Sequence, residues 1–245
     1  MPRERSQRLS IVIPVSSLSV TYCLLVSSGL TLSRKRTKTE QMGQADFHPL
    51  CAAGTLSLTQ NALAVGNRIA LRKGRIHEVT GAGADVFAAI AAAEQDQGVL
   101  WIGLYRDIVS LCPTGLQAYL GIEGMIIVEA VSRGELLWAA DQALRAEGGF
   151  CVILEMPDML SLKESRRLQL AAEQGGGLGL ILLRGGVSTS AAQTRWDCAP
   201  VHADTPTWEW TCVKGKSGES GAWRVTCQGG QNAKDTLHLA PAASP

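Results

Sequence analysis

Five short segments of the chain are rich in apolar and β-branched residues, and each has the length of a β-strand. Between them lie stretches in which apolar residues recur at helical spacing, as Leu137, Ala140 and Leu144 do. Strands that are apolar along most of their length belong inside a parallel sheet covered by helices on both faces. The pattern therefore predicts an α/β domain of the doubly wound type. The predicted strands are residues 76–80, 99–104, 125–130, 150–154 and 178–183.

Local signals mark the ends of the predicted helices. An Ala-rich segment, residues 84–95, predicts a helix directly after the first strand. Ser132 with Glu135, and Ser161 with Glu164, have the spacing of a capping box, in which serine and glutamate each bond a free backbone N–H. Both pairs therefore predict helix starts.

The character of the chain changes after Arg184, where tryptophan becomes frequent. Residues 208–213 and 223–227 predict two strands, joined by a Gly- and Ser-rich hairpin loop. Trp208 and Trp210 are two positions apart, so they face the same side of their strand. They form either one exposed apolar patch or one small core, and the sequence leaves both open.

These signals divide the chain into five regions. Residues 11–32 of the first region carry no charge and are flanked by basic residues, as in an export or membrane segment, but Ser, Thr, Pro and Gly lower their hydrophobicity. That region is a disordered leader, an over-extended start before Met42, or such a segment. The regions are the leader (1–41), an N-terminal segment (42–73), the α/β core (74–187), the C-terminal strands (188–227) and a tail predicted to be disordered (228–245).

The formal net charge of +1 is unevenly distributed. The leader has seven basic and two acidic residues, so the rest of the chain is acidic on balance. Because nucleic-acid affinity comes mainly from neutralising phosphates, we expect this body to bind DNA only weakly or indirectly. None of the seven cysteines forms a Cys-x-x-Cys pair or has histidine at metal-ligand spacing. We therefore expect reduced thiols, as in a cytoplasmic protein, and no metal site. We also expect no membrane association of residues 42–245.

A strand, a glycine-rich turn and a helix form the setting of the phosphate-binding P-loop, whose motif is G-x-x-x-x-G-K-[ST]. With the first glycine placed on Gly81, Phe87 takes the lysine position and Ala88 the hydroxyl position. The phosphate-binding ammonium and a Mg²⁺ ligand are then lost, and Asp85 adds negative charge where a triphosphate would lie. Gly81 and Gly83 then serve only the turn. The sequence predicts a degenerate loop, no nucleotide cofactor and no ATP hydrolysis.

Other residues with useful chemistry do not form a recognisable catalytic site. Glu155 follows a predicted strand where P-loop ATPases carry a Mg²⁺-binding acid, but the loop that would share the metal is missing. The four histidines are scattered, and the hydroxyls at 188–190 have no neighbouring His or Asp. We expect no catalytic residue.

Four segments, in matching order and spacing, give the chain a resemblance to the ImuA family, RecA-related accessory proteins of bacterial damage-induced mutagenesis. They are residues 74–81, 136–145, 165–173 and 190–196, within a region from about Gly74 to Trp223. The resemblance implies a RecA-like, P-loop NTPase-type core. It also implies a degenerate phosphate loop, in agreement with Phe87 and Ala88. The leader and residues 45–72 depart from the family pattern.

The resemblance further implies a non-catalytic adaptor in SOS-induced translesion DNA synthesis. Such a protein binds RecA and an inactive Y-family polymerase homologue, with a replicative-type polymerase as a further partner, through its C-terminal part at about residues 189–227. Two alternatives stay open. One is a SulA-type cell-division inhibitor, which also has a RecA-like core; the other is a RecA-like ATPase or recombination modulator, against which the loop argues.

Seven residues are candidates for contact with a partner or with DNA. Arg166 and Arg167 lie early in a capped helix, where they either contact a partner or DNA or belong to a solvated face with local ion pairs, such as Lys163 or Arg167 with Glu164. Arg195 and Trp196 follow small residues expected near the DNA-binding loops of a RecA-like protein, unless Trp196 packs against the sheet. The others belong to a residue type enriched at interfaces. They are Trp208, Trp210 and Trp223.

Overall fold

A computed structural model describes most of the chain from residue 62 onward. The described residues are 10–12, 62–65, 69–95, 97–108, 111–122, 125–187, 189–227 and 237–242. Met42 lies outside them, and so does the predicted leader (1–41) apart from residues 10–12. The hypotheses about the start of the protein and about a membrane segment at 11–32 therefore fall outside the described residues.

The described residues form twelve strands and five helices. The strands are β1 (Ser10–Val12), β2 (Ala62–Val65), β3 (Ile69–Arg72), β4 (Arg75–Thr80), β5 (Val99–Leu104), β6 (Ile126–Ala130), β7 (Cys151–Met156), β8 (Leu178–Leu183), β9 (Thr194–Val201), β10 (Thr207–Gly215), β11 (Gly221–Cys227) and β12 (Leu237–Pro241). The helices are α1 (Ala84–Ala93), α2 (Tyr105–Ile108), α3 (Pro113–Leu116), α4 (Arg133–Arg145) and α5 (Leu162–Gly175).

Ten of these strands form one sheet in the order β1-β6-β5-β7-β8-β4-β9-β10-β11-β12. The six strands from β6 to β9 in that order run parallel. Antiparallel strands extend the sheet at both ends, with β1 beside β6 and β10, β11 and β12 beyond β9. The predicted α/β class, its mainly parallel sheet and its C-terminal β-hairpin are confirmed. Strands β2 and β3 form a separate hairpin ahead of the core.

Helices cover both faces of the parallel strands, which explains why β7 and β8 are buried at every position. The apolar side of α1 belongs to one core, together with Trp101, Trp196 and Trp210. The second core, on the opposite face, contains the apolar sides of α4 and α5. A strand buried from both sides needs apolar residues at successive positions, and that need produced the pattern read from the sequence.

The predicted helix starts are confirmed at both serines. The Ser161 hydroxyl accepts the Glu164 backbone N–H, and the Glu164 carboxylate accepts the Ser161 backbone N–H at 2.9 Å, which completes the capping box. Ser132 likewise accepts the Glu135 backbone N–H. The Glu135 carboxylate, however, accepts from the Val131 N–H, one residue earlier than in a capping box.

Five of the twelve strands lie outside the predicted ones, namely β1, β2, β3, β9 and β12. Strand β9 follows the loop after β8, and its buried and exposed residues alternate although Arg195, Asp197 and Pro200 interrupt any apolar run. Strand β12 lies inside the tail predicted to be disordered, so that prediction is wrong for Leu237–Pro241, which pair with β11. Leu237 and Leu239 pack against the first core, and this packing stabilises β12.

Candidate functional site

The carboxyl ends of the central parallel strands form the candidate site. Helix α1, which follows β4, lies on one face of the sheet, and α5, which follows β7, lies on the other. The helices that leave the carboxyl ends of β4 and β7, on either side of β8, therefore go to opposite faces. In open α/β sheets, ligands bind beyond the carboxyl ends of the strands at such a divergence. Asp85 beyond β4, Glu155 in β7 and Arg184 beyond β8 meet at this edge.

The connection from β4 to α1 is too short to be a phosphate-binding arch. Strand β4 ends at Thr80 and α1 begins at Ala84, so three residues form the whole turn. In the motif G-x-x-x-x-G-K-[ST], backbone N–H groups of a longer loop surround the phosphates before the helix begins. Here the residues aligned with the second glycine, lysine and serine already lie inside α1.

Both glycines of this turn are explained by close packing against the neighbouring strands. Gly81 has a left-handed φ of +88°, and a Cβ atom there would lie 2.3 Å from the Cys198 carbonyl oxygen of β9. The Gly83 N–H donates to that same oxygen at 2.8 Å. A Cβ atom on Gly83 would lie 2.9 Å from the Trp208 indole. The turn therefore needs glycine in order to approach β9 and β10.

Phe87 lies in the interior, at the position that a P-loop gives to lysine. Its side chain is fully buried, with ring centroids 4.7 Å from Trp210 and 5.6 Å from Trp196. Ala88 beside it is also fully buried. A residue at position 87 consequently points into the aromatic core between α1 and the sheet, away from the carboxyl edge.

The carboxyl edge carries its own internal cation. Arg184 forms an ion pair with Asp85 and lies 3.7 Å from a carboxylate oxygen of Glu155. The Trp101 indole donates to the other Glu155 oxygen at 2.6 Å. Burial raises the pKa of Glu155, while the hydrogen bond from Trp101 and the charge of Arg184 oppose that rise. A single arginine of the chain thus faces both Asp85 and Glu155 at this edge.

The C-terminal tryptophans form a core. Trp196 and Trp210 are almost fully buried, and Trp208 is buried against Tyr119 with ring centroids 5.7 Å apart. Trp223 is half-buried and packs on Trp196 at 5.5 Å. Of the two open interpretations of Trp208 and Trp210, the exposed patch is wrong; both side chains are buried, and they belong to the large first core beneath α1 rather than to a small separate one.

Comparison with known proteins identifies the family of this chain. The chain is 30% identical over 186 residues to Protein ImuA of Caulobacter vibrioides strain NA1000 / CB15N, and equally to that of strain ATCC 19089 / CIP 103742 / CB 15. The match covers 62% of this chain and 74% of each relative. The chain belongs to the ImuA family. No family model matches it. The resemblance carried by the four sequence segments is confirmed.

In this ImuA-family chain, Arg195 is held inside the protein. Glu78 on β4 and Arg195 on β9 are paired in the sheet register, and their side chains form an ion pair at 2.7 Å. The Glu78 side chain is 1% exposed, and that of Arg195 is 14% exposed. Arg195, a candidate for contact with a partner or DNA, is therefore largely enclosed and engaged by Glu78. The sequence signal for this pair is Glu78, a single acid in a strand predicted to be buried, because a buried carboxylate requires a cation nearby.

Arg166 and Arg167 differ, although they are adjacent. Arg167 and Arg145 both donate to the buried Asp141, which links α5 to α4. Burial raises the pKa of Asp141, but the hydrogen bonds from Arg145 and Arg167 outweigh it and hold that pKa below its usual value. Glu164, the predicted local partner, instead pairs with Arg133 of α4. Arg166 stays exposed.

A buried polar chain joins the amino-terminal ends of β4 and β9. The Trp196 indole donates to the Thr194 hydroxyl at 2.8 Å, and that hydroxyl contacts His77 Nδ1 at 2.7 Å. His77 Nε2 lies 3.1 Å from the Arg72 carbonyl oxygen, so we assign the proton to Nε2. Burial lowers the pKa of His77 to about 4, although the bond to Arg72 opposes the shift.

His77 makes stability depend on pH. Because its folded-state pKa of about 4 lies below the ordinary 6.5, the unfolded chain binds the proton more tightly. Stability is complete above pH 6.5 and falls as the pH drops towards 4, by roughly 3 kcal/mol in all. Urea unfolding at several pH values measures this. The His77→Gln variant keeps both hydrogen-bonding roles, and we expect a flatter profile for it. An equally steep profile would show that other groups cause the loss.

Within the described part of the chain, none of the helices has the length and apolar character that crossing a membrane requires.

Proposed function

We propose that this ImuA-family chain is a non-catalytic adaptor of damage-induced translesion DNA synthesis, acting in the cytoplasm. It binds RecA and an inactive Y-family polymerase homologue, with a replicative-type polymerase as a further partner, and contacts DNA weakly or only through them. Membership of the ImuA family supports the pathway. The acidic balance of the chain outside its leader supports the indirect role at DNA.

The proposal that the adaptor has a RecA-like core is supported by the arrangement around β4. This strand lies inside the parallel part of the sheet, between β8 and β9, and leads through a glycine turn into α1. P-loop NTPases hold their nucleotide at that position. In this chain, the corresponding edge belongs to a scaffold whose nucleotide chemistry has been lost.

The observation that carries the proposal is the burial of Phe87 between Trp196 and Trp210. Phosphoryl transfer depends on cations positioned around the terminal phosphates. The position that would supply the lysine is part of the aromatic core, and the nearby Arg184 is already paired with Asp85 and Glu155. A protein arranged in this way acts by binding partners.

The first test measures nucleotide binding and turnover with the purified full chain. We expect no ATPase activity above a protein-free blank and no thermal stabilisation by Mg-ATP. A ligand at a hundredfold excess over its Kd stabilises a protein by about 2.7 kcal/mol, which a thermal shift detects readily. RecA assayed in parallel provides the positive control. Tight binding of Mg-ATP with turnover would contradict the non-catalytic role.

The second test asks for the partners directly. The tagged full chain is recovered from cells treated with a DNA-damaging agent, and the bound proteins are identified by mass spectrometry. We expect RecA or the polymerase homologue, absent from a control that carries the tag alone. Recovery of neither protein in repeated experiments would count against the adaptor function.

A further inference from the structure

Helix α5 presents a mixed apolar and basic stripe to solvent. Leu162, Arg166 and Leu170 are four residues apart and therefore lie along one side of the helix, with Lys163 one turn before Arg166. Leu162 is 49% exposed and Leu170 is 55% exposed. Both are among the large apolar side chains that this fold leaves in water. We call these four residues the α5 stripe.

The positive charge of the α5 stripe is not neutralised by the acids of its own helix. Glu164 is engaged by Arg133 and by the Ser161 cap. Glu173 is engaged by Arg75. Within the described part of the chain, Lys163 and Arg166 form no hydrogen bond or ion pair with other residues.

The helix that carries the stripe is firmly attached to the fold. Arg167, next to Arg166, donates to Asp141 of α4 at 3.0 Å, and Ser165 on the inner side accepts the Ala191 N–H. The inner side chains Leu168, Ala171 and Ala172 are fully buried in the second core. The stripe is consequently held in a fixed geometry, which reduces the entropy cost of binding.

We propose that the α5 stripe is the surface through which this chain holds a protein partner, and that the partner contributes a segment with carboxylates between leucine-like side chains. The inference rests on the proposed adaptor function and deepens it by naming the surface and the chemistry of its occupant. Carboxylates of the segment pair with Lys163 and Arg166, and its apolar side chains cover Leu162 and Leu170. This surface takes over the role that the C-terminal tryptophans were predicted to fill.

Two observations favour a protein partner over nucleic acid. Leu162 and Leu170 flank Arg166 on its own line, and exposed leucine gains nothing from a phosphate backbone. The chain outside the leader is acidic on balance, so a long polyphosphate laid across it would meet repulsion beyond the stripe. A short acidic segment matches the patch without that cost. At physiological salt, charges more than about 8 Å away from it are largely screened.

The test compares full-length variants for binding to the purified polymerase homologue and to purified RecA. The charge reversal Lys163→Glu with Arg166→Glu is expected to weaken binding to one of them by about tenfold, and Leu170→Ser by about threefold. Arg224→Glu is the matched control for the single reversal Arg166→Glu, because Arg224 is an exposed arginine on β11, away from α5. These sites are on the surface, so circular dichroism and urea unfolding should match the wild type.

Each outcome has a separate meaning. If the wild type binds neither protein, the adaptor function itself fails. If the wild type binds and the charge reversal binds equally well, the stripe is wrong while the adaptor function stands. Equal losses from Arg224→Glu would reduce the effect to overall charge and overturn the stripe. A single-stranded oligonucleotide serves as a further probe. If the charge reversal abolishes oligonucleotide binding and leaves protein binding intact, the stripe holds phosphate and the inference is overturned.

Discussion

Replacing Arg195 with methionine is expected to lower the free energy of unfolding by about 3–5 kcal/mol, the usual loss when one partner of a buried ion pair is removed. The Glu78 carboxylate is 1% exposed and lies 2.7 Å from the guanidinium. Without Arg195 it would remain buried on β4, with Lys214 as one nearby cation. Burial lowers the pKa of Lys214 and the charge of Glu78 opposes that shift, so some compensation is present. Urea unfolding of the purified variant measures the loss.

The matched control for this prediction removes both partners. In Glu78→Leu with Arg195→Met, no unpaired charge is left inside, and we expect the double variant to be more stable than Arg195→Met alone. The coupling free energy of the cycle then reports the pair itself. A loss of under about 1 kcal/mol for Arg195→Met, typical of exposed pairs, would mean that water reaches Glu78.

Much of the fold could be predicted because the central strands are buried on both faces. Strands β5 and β8 were predicted at their observed bounds, since burial from both sides leaves little room for polar residues. Strand β9 escaped prediction because it lies where the sheet changes from parallel to antiparallel. Only its alternate residues are buried, and Arg195 and Asp197 hide that alternation.

The candidate site was harder to predict, because its contacts join distant parts of the chain. Residues 99 positions apart form the Arg184–Asp85 pair, and residues 117 positions apart form the Arg195–Glu78 contact. Residue types and motif spacing contain no record of such pairings. Local signals did predict the helix that begins at Ala84, but motif alignment alone contains no information on the packing of Phe87 and Ala88 within it.

The burial of individual tryptophans also depends on tertiary packing. Alternation correctly placed Trp208 and Trp210 on one side of β10. Whether that side meets water depends on α1, which lies across it through Phe87. Phe87, which takes the lysine position when the motif is aligned on Gly81, is therefore also the residue that closes the core around Trp196 and Trp210, and this makes position 87 the most informative site for mutation.

Introducing lysine at the position that the motif alignment assigns to it, with Phe87→Lys, is expected to destabilise the protein by about 4 kcal/mol or more and to create no nucleotide site. The substitution removes a buried ring that contacts Trp196 and Trp210, and it places an amine in the buried aromatic core. Such a lysine becomes neutral rather than charged, since burial lowers its pKa.

Phe87→Leu is the matched control, because it shortens the side chain and keeps it apolar; we expect a loss of about 1–2 kcal/mol. Urea unfolding and Mg-ATP thermal shifts are measured for Phe87→Lys, for Phe87→Leu and for the double variant Phe87→Lys with Ala88→Ser. They distinguish two roles of position 87. If position 87 belongs to the core, lysine there disrupts the fold and ATP does not restore stability. If Phe87→Lys with Ala88→Ser folds normally and is stabilised by Mg-ATP, the loop retains the geometry of a working phosphate site. The non-catalytic adaptor would then lose its main physical support, because only two side chains would separate this chain from nucleotide binding.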